Sequence, residues 1–249
     1  MSFRLAEIRR HPVKSHGSEG LTRVALEAGR TLPWDRTWAV AHEAARTDGR
    51  DWAPCVNFSR GAKAPGLMAV TSTLDEATET VRFSHPDLPD VTLHPERDAA
   101  TLLDWARPLM PEARAASARV VRVAGRGMTD TEFPSVSLIN LASHRQVEER
   151  MGQDLDPRRW RCNLWLDGPA PWEELDWIGR TIRIGAARLR VRERIERCLA
   201  TAANPATGIR DADTLGTLQA GWNHRDFGIY AEVVTPGEIA VNDVVEVTG

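Results

Sequence analysis

Residues 181–208 read TIRIGAARLRVRERIERCLATAANPATG. The first half alternates. Ile182 and Ile184, then Leu189 and Val191, recur with period two, so Thr181 to Arg192 reads as one or two β-strands. The second half ends in Asn204-Pro205-Ala206-Thr207-Gly208, a turn with a mechanism: Asn tolerates the left-handed region, Pro fixes φ, and Gly allows positive φ. Cys198 therefore falls just past a strand, on a loop held by rigid neighbours. Arg194 and Arg197 flank it, and adjacent guanidinium groups favour the thiolate, the form that acts as nucleophile and soft-metal ligand. Free cysteines are often buried and inert; the two arginines, Thr201 and the tight turn weigh toward function.

Upstream, Arg161 to Gly168 reads as a strand closed by an Asp-Gly turn. Adjacent strand positions face opposite sides, so Cys162 is expected to point away from Arg161 and Asn163 and to be structural. Thr129 to Ser135 is a polar loop ahead of the apolar run Val136 to Leu141. Ser143 is expected to cap a helix over His144–Met151, with Gln146 at its third position. Trp172 to Gly179 reads as a packing and turn element. Downstream, Asp213 to Leu218 reads as a short helix, Ala231 to Val234 as extended, and Gly237 to Val245 as two strands about a turn.

The first third reads as strand, loop, strand, turn, strand over residues 3–42, with Lys14 and Ser15 in a polar loop and Asp35-Arg36 just before the strand at Trp38. Met68–Thr71, Thr80–Phe83 and Val91–Leu93 read as short strands, and Cys55, beside Pro54, as structural. Asp98 to Met110 has an amphipathic helical pattern ended by Pro111. Ala118 to Val123 reads as a strand. The Ala-rich segment Glu112 to Arg119 is the candidate boundary, dividing the chain into 1–117 and 118–249.

A chain of 249 residues buries enough surface to build a core without staples. Its three cysteines cannot all pair and form no C-x-x-C, which favours a reducing compartment and disfavours zinc-ribbon or iron–sulfur ligation. No apolar run reads as a secretory signal or a membrane span, so the expected location is cytoplasmic. A net charge of −3 disfavours a general nucleic-acid binder. Of the 32 basic residues only Lys14 and Lys63 are lysines. A lone ammonium in an arginine-rich chain suits a phosphate site.

The cysteine loop Arg197-Cys198-x-x-Thr201-x-x-Asn204-Pro205-x-Thr207-Gly208 resembles that of the MOSC family, the molybdenum cofactor sulfurase C-terminal domain proteins. Pro12-Val13-Lys14-Ser15, Asp35-Arg36 and Arg161-x-Asn163 extend the resemblance over nearly the whole chain. Cys162 stands where the family usually has Pro. The resemblance implies a mostly β fold with a few helices (α+β): a β-barrel-like MOSC domain over 118–249, preceded by an N-terminal β-rich lobe over 1–117. It implies the molybdenum cofactor (Mo-molybdopterin), with Cys198 as catalytic residue and metal ligand. Lys14, Ser15, Arg36, Arg161, Asn163, Arg197 and Thr201 are then the residues expected to bind the cofactor. Glu132 takes the place of an acidic residue that relays a proton, and Ser135 or Ser137 that of a hydroxyl near the metal.

By likeness to the amidoxime-reducing members, the expected activity is reduction of a small N-hydroxylated substrate. The chain has no four-cysteine ferredoxin pattern, so the electrons are expected from a separate ferredoxin- or flavin-type protein. The alternatives are a sulfur carrier with a persulfide on Cys198 and a non-catalytic carrier of the cofactor. Neither nucleic acid nor a membrane span is expected.

Overall fold

The computed structural model describes residues 3–248. Four strands open the chain: β1 (Phe3–Arg10), β2 (Glu19–Leu21), β3 (Arg23–Leu26) and β4 (Trp38–His42). β5 (Thr71–Asp75), β6 (Thr80–His85) and β7 (Leu88–Leu93) follow, then helix α1 (Ala99–Ala106) and β8 (Ser117–Arg122). The second half holds β9 (Val136–Asn140), α2 (Leu141–Met151), β10 (Leu164–Asp167), β11 (Thr181–Ile184), β12 (Ala187–Glu196), α3 (Thr214–Trp222), β13 (Asp226–Thr235), β14 (Gly237–Ala240) and β15 (Val244–Thr248). The fold is mostly β, as expected.

Seven strands close into a barrel in the order β10-β9-β13-β12-β11-β15-β1 and back to β10, with β2 appended to β1. The pairings are antiparallel except β9–β10. The alternation at residues 181–192 is the signature of its wall. β11 and β12 form a hairpin in which Ile182 faces Leu189, and Ile182, Ile184, Leu189 and Val191 all bury into the barrel core. Leu5, Ile8, Leu138, Leu164, Ile229 and Val233 fill the same core from the other strands. Beside the barrel, β4 pairs with β8 and β5-β6-β7 form a meander. Trp38, Val40, Phe83 and Leu102 of α1 make a second core there.

Several local expectations fail for physical reasons. Gly237 to Val245 does form two strands about a turn, but they do not pair with each other: β14 pairs with β3, whereas β15 pairs with β11 and β1. Asn242 turns the chain at φ 75, and β1 seizes the turn, with Asn242 N donating to Leu5 O and Leu5 N donating to Asp243 O. Arg161 to Asn163 lies outside any strand. A short 3₁₀ helix, Pro157–Trp160, ends on Arg161 in the left-handed region, and β10 begins only at Leu164. The in-strand rule therefore never applied to Cys162. The cap of α2 is Asn140, whose side chain accepts from Ala142 N. Ser143 lies inside the helix and donates to the Glu174 carboxylate. Met68 and Ala69 belong to a 3₁₀ turn opened by Pro65, and the strand starts at Thr71.

The sheets also cross the compositional break near residue 117. β1 supplies a barrel stave, and β8 reaches back to β4. This interlocking places the β1–β2 loop and the turn before β4 against the end of β12.

Candidate functional site

A cleft of about 210 Å³ opens between these segments. Lys14, Ser15 and Arg36 line it from the first third of the chain, Arg161 from the turn before β10, and Arg197, Cys198 and Thr201 from the end of β12. Seven of the expected site residues thus share one cavity. Three do not line it. Glu132 is exposed on the preceding loop, and the acids lining the cleft are Asp130, two residues earlier, and Glu196 at the end of β12. Ser135 is buried and accepts from Thr131 Oγ1 at 2.7 Å; the hydroxyl at the cleft is Ser137. Asn163 sits one layer back. Its Oδ1 accepts from Ser137 N and Oγ at 3.1 and 2.8 Å, and its Nδ2 donates to Arg9 O at 3.1 Å.

The cysteine loop is built as its residues dictate. Cys198 is exposed and is followed by a short 3₁₀ turn, Leu199–Ala202. Thr201 closes that turn: its N and Oγ1 donate to Cys198 O at 3.2 and 3.1 Å. Beyond it, Ala206 N donates to Asn204 Oδ1 at 2.8 Å, the side-chain turn that Asn favours. Gly208 has φ 70, and a Cβ there would lie 2.7 Å from Gly66 Cα. The loop therefore packs against the Pro65 turn only because residue 208 has no side chain.

The two flanking arginines do not reach the thiol. Arg194 turns to Leu175 O at 3.2 Å on the opposite side of β12. Arg197 donates to Phe227 O, Trp160 O and, at 3.2 Å, Cys162 Sγ. Its guanidinium also lies over the Trp160 and Phe227 rings, which stack at 3.8 Å. Arg197 thus braces the cleft floor, and Cys162, although 1% exposed, belongs to the cleft wall. Cys55 lines the cleft as well, with Arg60 Nη1 at 3.0 Å from its sulfur. The residues missed in the sequence, Cys55, Arg60, Asp130 and Arg159, sit on loops or short 3₁₀ turns without periodicity; only Asp130, in a polar loop already singled out, carried a readable hint.

Charge is distributed unevenly around the cavity. Lys14 donates to Met128 O at 2.8 Å and pairs with Asp130. Arg36 pairs with the buried Asp35 and donates to Arg161 O at 2.8 Å. Arg159 pairs with Asp211. Arg60, Arg161 and Arg197 have no carboxylate partner among the described residues. Burial and then the neighbouring Arg36 push Arg161 down to about 9, so it stays charged at neutral pH. Burial raises the Asp130 carboxyl, but Lys14, Arg36 and Arg161 overcome that and hold it at about 2. Behind the cleft, burial pushes His11 down to about 3, helped by Arg161 and Arg36, and it sits neutral against Asp35.

Backbone strain collects here too. Ser15, Arg36 and Arg161 have φ of 65, 51 and 49. For residues bearing a side chain this conformation costs on the order of 1–3 kcal/mol each, and it marks cleft residues whose placement the surrounding fold enforces. The donor set fits an anion bearing a soft metal: unpaired guanidinium groups, one ammonium, the hydroxyls of Ser15, Ser137, Thr201 and Tyr230, and an exposed thiol.

A family model described as MOSC domain matches residues 130–246, and one described as MOSC N-terminal beta barrel domain matches residues 2–117. The molybdenum cofactor sulfurase of Drosophila willistoni is 37% identical over 106 residues, 41% of this chain and 13% of that protein. That of Drosophila grimshawi is 37% identical over 98 residues, 37% of this chain and 12% of that protein. The chain thus matches only a small part of these relatives' length. Among solved structures, the YuaD protein of Bacillus subtilis aligns over 99% of this chain and 96% of its own, with 12% identity and a TM-score of 0.48. YiiM of Geobacillus stearothermophilus aligns over 46% and 54%, with 19% identity and a TM-score of 0.35. The chain is a MOSC domain protein with a MOSC N-terminal β-barrel domain, from a family associated with redox and sulfuration chemistry of the molybdenum cofactor.

Proposed function

We propose that this protein binds the molybdenum cofactor in the cleft and reduces N-hydroxylated compounds, with electrons delivered by a separate ferredoxin- or flavin-type protein. The observation that carries this reading is an exposed thiol, Cys198, in a cavity where the guanidinium groups of Arg60, Arg161 and Arg197 lack carboxylate partners among the described residues. Such charges call for an anion. Lys14, Arg36 and Arg161 would hold the phosphate of the pterin, with Ser15 donating a hydrogen bond, and Cys198 would be the protein ligand to the metal. When bound, the cofactor supplies two-electron removal of an oxygen atom from the substrate.

The protein's own residues then bind, orient and manage protons. Asp130 stays ionised and accepts from Lys14 Nζ, so this pair, with the carboxylate that Glu132 was expected to supply, would fix the ammonium at the cleft wall. Asn163 fixes Ser137 from behind, and Arg197 fixes the floor under Trp160.

The purified protein should contain molybdenum and a pterin that fluoresces after oxidation, near one per chain, and should turn over hydroxylamine with a reduced mediator. Cys198→Ala should lose the activity by at least 10²-fold or lose the metal; a metal-replete, fully active variant ends the assignment. A second reading, a sulfur carrier, is favoured by Cys55 and Cys162 lining the cavity with Cys198 and by the likeness to sulfurases. Cyanide-labile sulfur on Cys198 without turnover would select it. Stoichiometric cofactor with neither property would indicate a carrier.

A further inference from the structure

A second cleft of about 210 Å³ lies on the far side of the turn that presents Arg36. Trp34, Arg30, Arg126, Arg122 and Thr31 are in its wall, and Glu27 is its one acid. We propose that it binds the phosphate group of a small molecule, at a site separate from the thiol cleft.

The charges differ in kind. Arg122 is already neutralised, 2.6 Å from Glu79 and 3.5 Å from Glu96, and lies over Trp34 and Trp38. Arg30 and Arg126 make no ion pair among the described residues. Arg30 donates only to Gly125 O. Arg126 donates to the carbonyls of Glu132 and Thr131, and its Nε is buried with no partner. Two guanidinium groups held by carbonyls alone, beside one acid, keep their charge for an oxyanion.

The site is built, not incidental. Trp34 holds φ 64, a conformation that favours glycine. Gly127 presses so closely on this turn that a Cβ would fall 2.1 Å from Asp35 O, and its N donates to Thr31 Oγ1 at 3.2 Å. The same two segments form the thiol cleft on their other side, through Arg36, Met128 O and Asp130. An anion bridging Arg30 and Arg126 would clamp a wall that both cavities share.

The test is calorimetric titration of the purified protein with inorganic pyrophosphate at fixed ionic strength. One equivalent, beyond any taken up by the thiol cleft, should bind with an affinity that falls at least tenfold in Arg30→Gln and in Arg126→Gln but holds in Arg161→Ala. Arg30 is exposed and touches one carbonyl, so its variant keeps the fold if Arg126→Gln does not. Binding unchanged in Arg30→Gln, absent at millimolar pyrophosphate, or lost in Arg161→Ala would overturn the proposal. The outcome is independent of the cofactor reading, which stands or falls on the Arg161 and Cys198 variants.

Discussion

Arg161 pairs two unfavourable features. It holds φ 49 with a full side chain, and its buried guanidinium faces Arg36 without a carboxylate of its own. Both make sense if the fold keeps a cation ready for an anion. Arg161→Gly should therefore raise stability by about 1 kcal/mol, since relief of left-handed strain exceeds the entropic cost of glycine, while cofactor occupancy drops by tenfold or more. Urea unfolding and pterin release measure the two sides; a variant that loses stability and keeps its pterin contradicts the assignment. At this scale much of the site was legible. Lys14, Ser15, Arg36, Arg161 and Cys198 were marked by residue type in short motifs, and the fold gathers them. Choosing Asp130 over Glu132, or Ser137 over Ser135, was not possible, because which side of an irregular loop faces inward is set by tertiary packing. Arg194 and Arg197 flank Cys198 in sequence yet serve other partners, so adjacency along the chain misled.

Among the elements, the loop between β1 and β2 is the most unusual, because it buries His11, Lys14 and His16. His16 donates from Nδ1 to Lys14 O at 2.8 Å and leaves Nε2 buried without a partner. Burial pushes His16 down to about 4 and His11 to about 3. Both stay neutral in the folded protein at pH 5, whereas in the unfolded chain they take up protons below about 6.5. The unfolded state then binds more protons, so stability falls as pH drops, by on the order of 1.4 kcal/mol per pH unit for each histidine. The fall starts near pH 6.5 and levels off near 4 for His16 and 3 for His11. Asp130 adds a later loss, because its stabilisation is complete above 3.8 and disappears as pH falls toward about 2. Urea unfolding at pH 7, 6 and 5 should show this slope, and His16→Gln should remove about half of it; a flat profile from 7 to 5 would show that these histidines protonate in place. On α2, Asn140 caps the helix and also donates to Ala170 O and Glu174. Asn140→Ala should cost about 2 kcal/mol in urea unfolding, the upper end for a cap, and a loss under 0.5 kcal/mol would mean that water replaces it. That cap was missed in the sequence because Ser143 matched a local pattern, while the deciding partner, Glu174, lies far along the chain.

For the whole molecule, the decisive feature is that the barrel of the second half closes only with a strand from the first few residues. β1 pairs with β10 on one side and with β15 on the other, and Leu5 and Ile8 fill the interior between them. The β11–β12 hairpin was readable because its period and its partner are both local. The last stave was not, since composition near residue 117 shows where the chain becomes loop-like but not which strands pair across it. Removing residues 1–117 would leave β10 and β15 as bare edges and open a hole where two large aliphatic side chains sit. Each lost core aliphatic costs about 2–5 kcal/mol, and exposed edges recruit other chains; together these approach the whole stability of an ordinary domain. The fragment 118–249 is therefore expected to be aggregated or non-cooperative in thermal unfolding, and a peptide of residues 1–26 added in trans to restore a cooperative transition. A fragment that melts cooperatively on its own would show that the second half closes its barrel without β1.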